Sequence, residues 1–288
     1  MRILVTGSTG LIGEAVAAHL AGQGHEVFGL SRKPATADGP TVPADISAPD
    51  FSQRVMDAIP PCAAVVHSAA SLGMRNDDPS VALTNCLGTQ QVVTLAARWE
   101  AKCFVYLSSV AVIGRPCHVP IDETHPVDPQ TVYAASKLFG EHVCALSGMP
   151  AALLRVTAPI GPRMPRNRIL PLFLSKARMN EPLLLNGKGT RRQNYVDVRD
   201  IARAVEACIG RAASGVYFIA GNESVTNREL AERCIRAVQS KSKIEFSGNP
   251  DPDDDIAWDI CIAKAARDLG YRPHYSLDAS IADIAAAL

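Results

Sequence analysis

The 288 residues predict an α/β fold: a doubly wound parallel sheet followed by a smaller C-terminal lobe. Three observations predict it. Short β-branched runs alternate with longer helical patterns through the first half, a glycine-rich turn joins the first run to the first helix, and proline breaks the alternation beyond residue 160. Parallel strands buried on both faces read as continuous apolar runs, and neighbours need a crossover of about a dozen residues or more, which this spacing provides.

Taken in chain order, strands are expected near 2–6, 26–30, 63–67, 103–108 and 151–156, with helices near 11–22, 51–58, 80–99 and 132–146 between them. Pro159, Pro162, Pro165, Pro171 and Pro182 then punctuate a basic stretch holding Arg155, Arg163, Arg166 and Arg168, which reads as loop. A helix near 198–209 and a strand near 216–219 rejoin the sheet, ahead of helices near 226–238, 262–269 and 277–287. The expected division is a sheet domain over 1–160, with return segments near 192–222, and a lobe made mainly of 161–288.

Lys plus Arg and Asp plus Glu both number 29, so no net field draws the chain to nucleic acid or an anionic membrane, and a small molecule is the default partner. The opening Met-Arg-Ile-Leu-Val runs straight into a strand, without the pattern of a secretory signal, and no apolar run reaches the roughly 20 residues of a membrane span. A soluble, cytoplasmic protein is expected. The eight cysteines are scattered, with no C-x-x-C pair and no histidine at zinc-ligand spacing; they read as reduced thiols, and no metal is expected.

The chemistry-bearing residues begin at Thr6-Gly7-Ser8-Thr9-Gly10-Leu11-Ile12-Gly13, which follows a strand and opens a helix. Gly7 permits the turn, Gly10 lets backbone approach a pyrophosphate, Gly13 lets helix and strand pack, and the helix start offers free N–H groups to the anion. This is the cofactor loop of a Rossmann sheet, with Thr9, Leu11 and Ile12 among the cofactor contacts. After the second strand come Ser31-Arg32-Lys33, where an NAD site usually has a carboxylate for the ribose hydroxyls. A guanidinium there suits a 2'-phosphate, so Ser31 and Arg32 point to NADP, with NAD the alternative. Asp45-Ile46 is placed at the adenine, and the small residues Ser68, Ala69 and Ala70 close the next strand against the cofactor. His67 reads as a packed core histidine.

Tyr133 and Lys137 stand four apart in a helical pattern and so share a face. A phenol of pKa about 10 is a poor acid or base at neutral pH, and the Lys137 ammonium is expected to lower it. Ser108 and Ser109 end the strand before that helix, where substrate sits in open parallel sheets, and a hydroxyl there can bind the reacting oxygen.

These residues resemble the extended short-chain dehydrogenase/reductases, the NAD-dependent epimerase/dehydratase family, along nearly the whole chain. The matches are the glycine loop, Asp45-Ile46, Val65 to Ala70, Asn85 with Gly88-Thr89, Leu107-Ser108-Ser109 with Gly114, and Tyr133 with Lys137. Arg155 with Gly161-Pro162, Tyr195-Val196 with Asp200, and Leu269-Gly270-Tyr271-Arg272-Pro273 complete them. The resemblance implies Tyr133 as general acid or base and Lys137 as ligand of the nicotinamide ribose. It implies Ser109, five residues before Gly114, as the group holding the carbonyl or alkoxide oxygen, and adds Asn85 to the cofactor contacts. It further implies a smaller lobe that binds a sugar-like substrate, and a homodimer packed through the helices near 80–99 and 132–146, with Val92, Val93, Leu95, Ala96, Leu138, Val143 and Leu146 divided between sheet and interface.

The activity so implied is an oxidoreductase interconverting a secondary alcohol and a ketone on a sugar or sugar-like substrate. A nucleotide-sugar epimerase with retained cofactor is the alternative, and a non-catalytic dinucleotide sensor a third reading. Two departures narrow it. Val110-Ala111 stand where the family's 4,6-dehydratases carry an acid pair, so dehydration is not expected. Ala158, Gln193 and the segment Gly248-Asn249-Pro250 stand where sugar-nucleotide members place Asn and Arg, leaving Arg192 as a substitute beside the acidic run Asp251, Asp253, Asp254 and Asp255, which would repel a pyrophosphate.

Overall fold

The computed structural model describes residues 1–32, 41–73 and 78–288, so Lys33 lies outside the described residues. Its first half runs β1 (Arg2–Thr6), α1 (Leu11–Gly22), β2 (Glu26–Ser31), β3 (Thr41–Pro43), α2 (Phe51–Ala58), β4 (Ala64–His67), α3 (Pro79–Val81), α4 (Thr89–Arg98), β5 (Cys103–Ser109), α5 (Val132–Ala145) and β6 (Ala151–Val156). Its second runs β7 (Ala158–Ile160), α6 (Ile169–Arg178), β8 (Leu183–Leu185), β9 (Arg192–Asp197), α7 (Val198–Arg211), β10 (Gly215–Ile219), β11 (Ser224–Thr226), α8 (Asn227–Ala237), β12 (Ile244–Phe246), α9 (Ala263–Leu269) and α10 (Leu277–Ala287).

Seven parallel strands form the main sheet in the order β10-β6-β5-β4-β1-β2-β3. The chain lays β2 and β3 on one side of β1, then crosses to β4 and builds the other way. That reversal opens a crevice at the carboxyl ends of β1 and β4, where ligands bind in open α/β sheets. In register there, Thr6 stands beside Leu30 on one side and His67 on the other.

Two apolar clusters cover the sheet. One packs Val16 and Leu20 of α1 with Ile201, Val205 and Cys208 of α7 onto Ile3, Val5, Val105 and Leu154. The other packs Phe51 and Val55 of α2 with Val92, Leu95 and Ala96 of α4 onto Leu4, Val65, Phe104 and Tyr106. A third cluster is separate, formed by Leu170, Phe173 and Leu174 of α6, Leu230 and Cys234 of α8, and Ile281 and Ile284 of α10.

The structure departs from the sequence expectation in the proline-rich stretch, where α6 forms despite Pro171. Pro171 is the third residue of that helix, where its missing N–H would have no intrahelical partner, so the ring is tolerated. The helices expected to divide residues between sheet and interface do differ in burial. Val92, Val93, Leu95 and Ala96 are all buried within the chain, while the exposed apolar side chains are Leu83, Leu87, Val132, Phe139 and Leu146. Among the described residues no helix is long and apolar enough to cross a membrane.

Candidate active site

The cofactor loop is shaped by contacts that exclude a side chain. Gly7 has φ +69°, and a Cβ there would lie 2.8 Å from the Ala69 backbone; at Gly13 it would lie 2.2 Å from the Gly7 carbonyl oxygen. Gly7 N–H donates to the Leu30 carbonyl (2.7 Å) and Gly10 N–H to that of Gly7 (2.9 Å), which turns the chain tightly from β1 into α1. No side chain caps α1 at Gly10. The first N–H groups of the helix therefore point at open space, as an anion site needs.

A cavity of about 1410 Å³ runs from this loop to the lobe beyond β7. Gly7, Thr9, Gly10, Leu11, Ile12, Ser31, Arg32, Asp45, Ile46, Ser68, Ala69 and Ala70 line one end, and Tyr133 and Lys137 line the middle. The glycine cradle, the uncapped helix start and the length of the cleft fit a dinucleotide. Thr9 and Ser31 join their hydroxyls at 2.7 Å, tying the glycine loop to the end of β2. The Ser47 hydroxyl and N–H bond to Asp45 and hold its carboxyl below the usual range, with Arg32 adding to the effect.

Buried His67 joins the two walls. Its ring nitrogens lie 2.7 Å from Thr6 Oγ1 and 2.9 Å from Thr89 Oγ1, and burial pushes its pKa down to about 3. It is a neutral packing group, as the sequence indicates. Thr6 Oγ1 also accepts the Ala69 N–H at 3.1 Å, pressing the 68–70 backbone towards Gly7.

Asn85 departs from its expected role as a cofactor contact. It sits in a π-helical turn, Ala82–Gly88, and is 1% exposed. Its amide oxygen accepts the Ser71 N–H (2.7 Å), and its amide nitrogen donates to the Ser71 carbonyl (2.8 Å) and to Ser136 Oγ (2.9 Å). Both donor hydrogens are used. Asn85 therefore pins the loop that carries Ser68 to Ala70 onto α5, and acts on the cavity through that backbone.

Helix α5 starts where Thr131 caps the Ala134 N–H at 3.1 Å, so Tyr133 stands in its first turn at the cavity wall. The two candidate serines separate cleanly. Ser108 contributes to the wall, but its hydroxyl donates to Glu141 at 2.5 Å. Ser109 accepts the Ala111 N–H at 3.1 Å and is not among the residues that line the cavity; its hydroxyl acts on the site by lowering the pKa of the Tyr133 phenol.

The electrostatics differ from the expected pairing of Tyr133 with Lys137. Burial pushes the phenol above its ordinary value, and what pulls it back is the Ser109 hydroxyl and the Arg168 guanidinium. Lys137 Nζ lies 4.6 Å from the Tyr106 ring centre, and burial lowers its pKa to about 8 against the opposing pull of Cys144 and Glu141. Glu141, one turn beyond Lys137, forms a buried bidentate pair with Arg155 of β6, Nε at 3.0 Å and Nη2 at 2.9 Å.

At the lobe end the cavity is lined by Ala158, Pro159, Arg163, Arg168, Arg191, Gln193 and Tyr195. Arg192, the expected substitute for a missing arginine, does not reach it. Arg191, just before β9, and Gln193 within it line the cavity, while Arg192 between them turns away to Asp259 at 3.1 Å. The acidic run is also differently employed. Asp254 accepts the N–H groups of Lys188 and Thr190, Asp253 pairs with Arg191 at 3.0 Å and Asp255 pairs with Arg115. None of the four lines the cavity.

Three residues of this site were not singled out as functional by sequence reasoning. Glu141 was detectable, since it continues the four-residue spacing of Tyr133 and Lys137. Arg168 and Arg191 were not, because a long connection and a strand register decide which arginines face inward.

Comparison with known proteins finds relatives along nearly the whole chain. The model of the NAD dependent epimerase/dehydratase family matches residues 3–220. A dTDP-glucose 4,6-dehydratase of Streptomyces niveus is 30% identical, over 95% of this chain and 88% of that one. A putative UDP-glucose 4-epimerase of Methanocaldococcus jannaschii is 27% identical, over 97% and 95%. In structure, the UDP-glucose 4-epimerase of Thermotoga maritima, crystallised with UDP-glucose, superposes with a TM-score of 0.91 at 21% identity, covering 100% of this chain and 98% of that one.

Proposed function

The chain belongs to the NAD dependent epimerase/dehydratase family, and from that premise we propose that it interconverts a secondary alcohol and a ketone on a sugar or sugar-like substrate. The observation that carries this reading is the placement of Tyr133 and Lys137 together in the wall of a cleft that begins at the glycine loop, with the Ser109 hydroxyl, just behind that wall, lowering the pKa of the Tyr133 phenol against burial.

A bound dinucleotide supplies the hydride chemistry at its nicotinamide. Gly7 to Gly13 would hold its pyrophosphate, and Lys137 would bind the nicotinamide ribose hydroxyls. Ser109 holds the substrate oxygen, and Tyr133 takes its proton as the carbonyl forms, or returns it in reduction. Arg168, reaching in from the lobe, favours the phenolate. Val110 and Ala111 offer no acid or base, so the sequence stops at the ketone and does not proceed to elimination. Incubating the protein with each cofactor and a panel of free and nucleotide-linked sugars, with absorbance and product stereochemistry followed, tests the reading. Cofactor reduction that depends on Tyr133 supports it; no turnover on any substrate favours the sensor reading.

A second reading, epimerisation with NAD retained, uses the same residues and is favoured by the full-length likeness to a putative UDP-glucose 4-epimerase. Stoichiometric cofactor after purification, with no net reduction, would select it.

We further propose NADP as the preferred cofactor, because among the described residues Ser31 and Arg32, and no carboxylate, stand at the cavity end of β2. Arg32→Ala should weaken NADPH binding by about tenfold to a hundredfold, the equivalent of about 1.5–3 kcal/mol for a charge-assisted hydrogen bond, and leave NADH little changed. Fluorescence titration of both cofactors checks this, and a wild type that already favours NADH would overturn it.

A homodimer is proposed through α5 and the turn before α4. Val132, Phe139 and Leu146 recur every seven residues on α5 and stay exposed, Phe139 by 40% and Leu146 by 86%, beside Leu83 and Leu87. Sedimentation should show a dimer at micromolar concentration, and Phe139→Glu should shift it to monomer.

A further inference from the structure

Outside the cavity, the loop linking β5 to α5 brings Cys117, His118 and His125 together, their ligand atoms all within 4.8 Å of one another. Cys117 Sγ and His125 Nε2 are 3.4 Å apart. Around a tetrahedral Zn²⁺, with bonds of about 2.3 Å to sulfur and about 2.05 Å to nitrogen, that separation is about 3.6 Å. The His118 and His125 rings lie 4.5 Å apart between centres.

His125 is preset as a ligand. It is 4% exposed, and Nδ1 lies 2.8 Å from the Pro126 carbonyl oxygen, which can only accept, so the proton is on Nδ1 and the Nε2 lone pair faces Cys117. Metal-binding imidazoles are oriented by such a bond from the other ring nitrogen. Nε2 also accepts the Cys117 backbone N–H at 3.1 Å, a bond that an ion bound at Nε2 would displace, leaving the N–H of exposed Cys117 to solvent. The loop itself is anchored: Asp128 N–H donates to Val112 (3.0 Å), Ile121 N–H to Asp259 (2.8 Å) and Cys261 N–H to Ile121 (2.8 Å). Cys117 and His118 are exposed, so an ion can enter and both side chains can close on it.

We propose that Cys117, His118 and His125 form a Zn²⁺ site, distinct from the catalytic cavity, with three protein ligands and a fourth position for water. One thiolate and two imidazoles are the donors Zn²⁺ favours, and hard cations such as Mg²⁺ prefer oxygen. The ion ties together the limbs of the loop that connects Ser109 to Tyr133.

Titrating the metal-stripped protein with Zn²⁺ against a chromogenic chelator tests the site. One equivalent should bind, and Cys117→Ser or His118→Ala should each weaken it by about tenfold or more. Both exposed variants should keep the wild-type urea midpoint in chelator, showing that they fold. Co²⁺ loading should give a thiolate-to-metal absorption that disappears in Cys117→Ser. Equal Zn²⁺ affinity in wild type and the Cys117→Ser/His118→Ala double variant, or a cobalt–thiolate band that persists in Cys117→Ser, would overturn the assignment.

Discussion

Tyr133→Phe is expected to lower kcat by about 10²–10⁴-fold, the usual contribution of a positioned acid or base, with cofactor affinity nearly unchanged. The substitution keeps the ring against the cavity wall and removes only the transferable proton. Unaltered turnover would remove Tyr133 from the mechanism. The companion test is Arg168→Met, since the Arg168 guanidinium pulls the phenol pKa down against burial. Tyr133 accepts the alcohol proton only when deprotonated, so removing the cation raises its pKa and moves the rising limb of the oxidation rate to higher pH. A pH–rate profile of kcat separates this from a binding defect, which would raise KM and leave the limb in place.

The fold was legible where local pattern and tertiary packing demand the same thing. β1, α1 and the glycine turn between them follow from one apolar run and three glycines, of which Gly7 and Gly13 leave no room for a side chain. The proline-rich stretch reads as loop because proline usually breaks helices, yet α6 forms there because Pro171 falls in the first turn, where the rule does not apply. The site divides similarly. Tyr133 and Lys137 stand out through four-residue spacing, but what acts on each depends on elements far away in sequence: the Arg168 charge at the start of α6 lowers the pKa of the Tyr133 phenol, and Tyr106 of β5 lies under Lys137. Asn85 was assigned to the cofactor from resemblance alone, and only the three-dimensional bonding shows that Ser71 and Ser136 consume its amide.

Glu141→Ala is expected to cost about 3–5 kcal/mol of folding stability, because it leaves Arg155 as an uncompensated buried charge and takes the acceptor from the Ser108 hydroxyl. The side chains of Arg155 and Glu141 are only 6% and 5% exposed, so water cannot substitute for the lost carboxylate. Against a typical total of about 5–15 kcal/mol this is a large share, and the urea midpoint should fall accordingly. Replacing both partners with apolar residues, Glu141→Leu with Arg155→Met, should cost much less, since the charge that made the single variant expensive is gone. Equal losses in the single and double variants would mean that packing, and not charge, sets the cost. Lys137 supplies a second readout on the same helix. Its folded pKa of about 8 lies below its ordinary 10.5, so across that window the unfolded chain binds more protons and this group's contribution to stability rises with pH. Glu141 raises the Lys137 pKa, so its loss should lower that value further and start the rise at a lower pH.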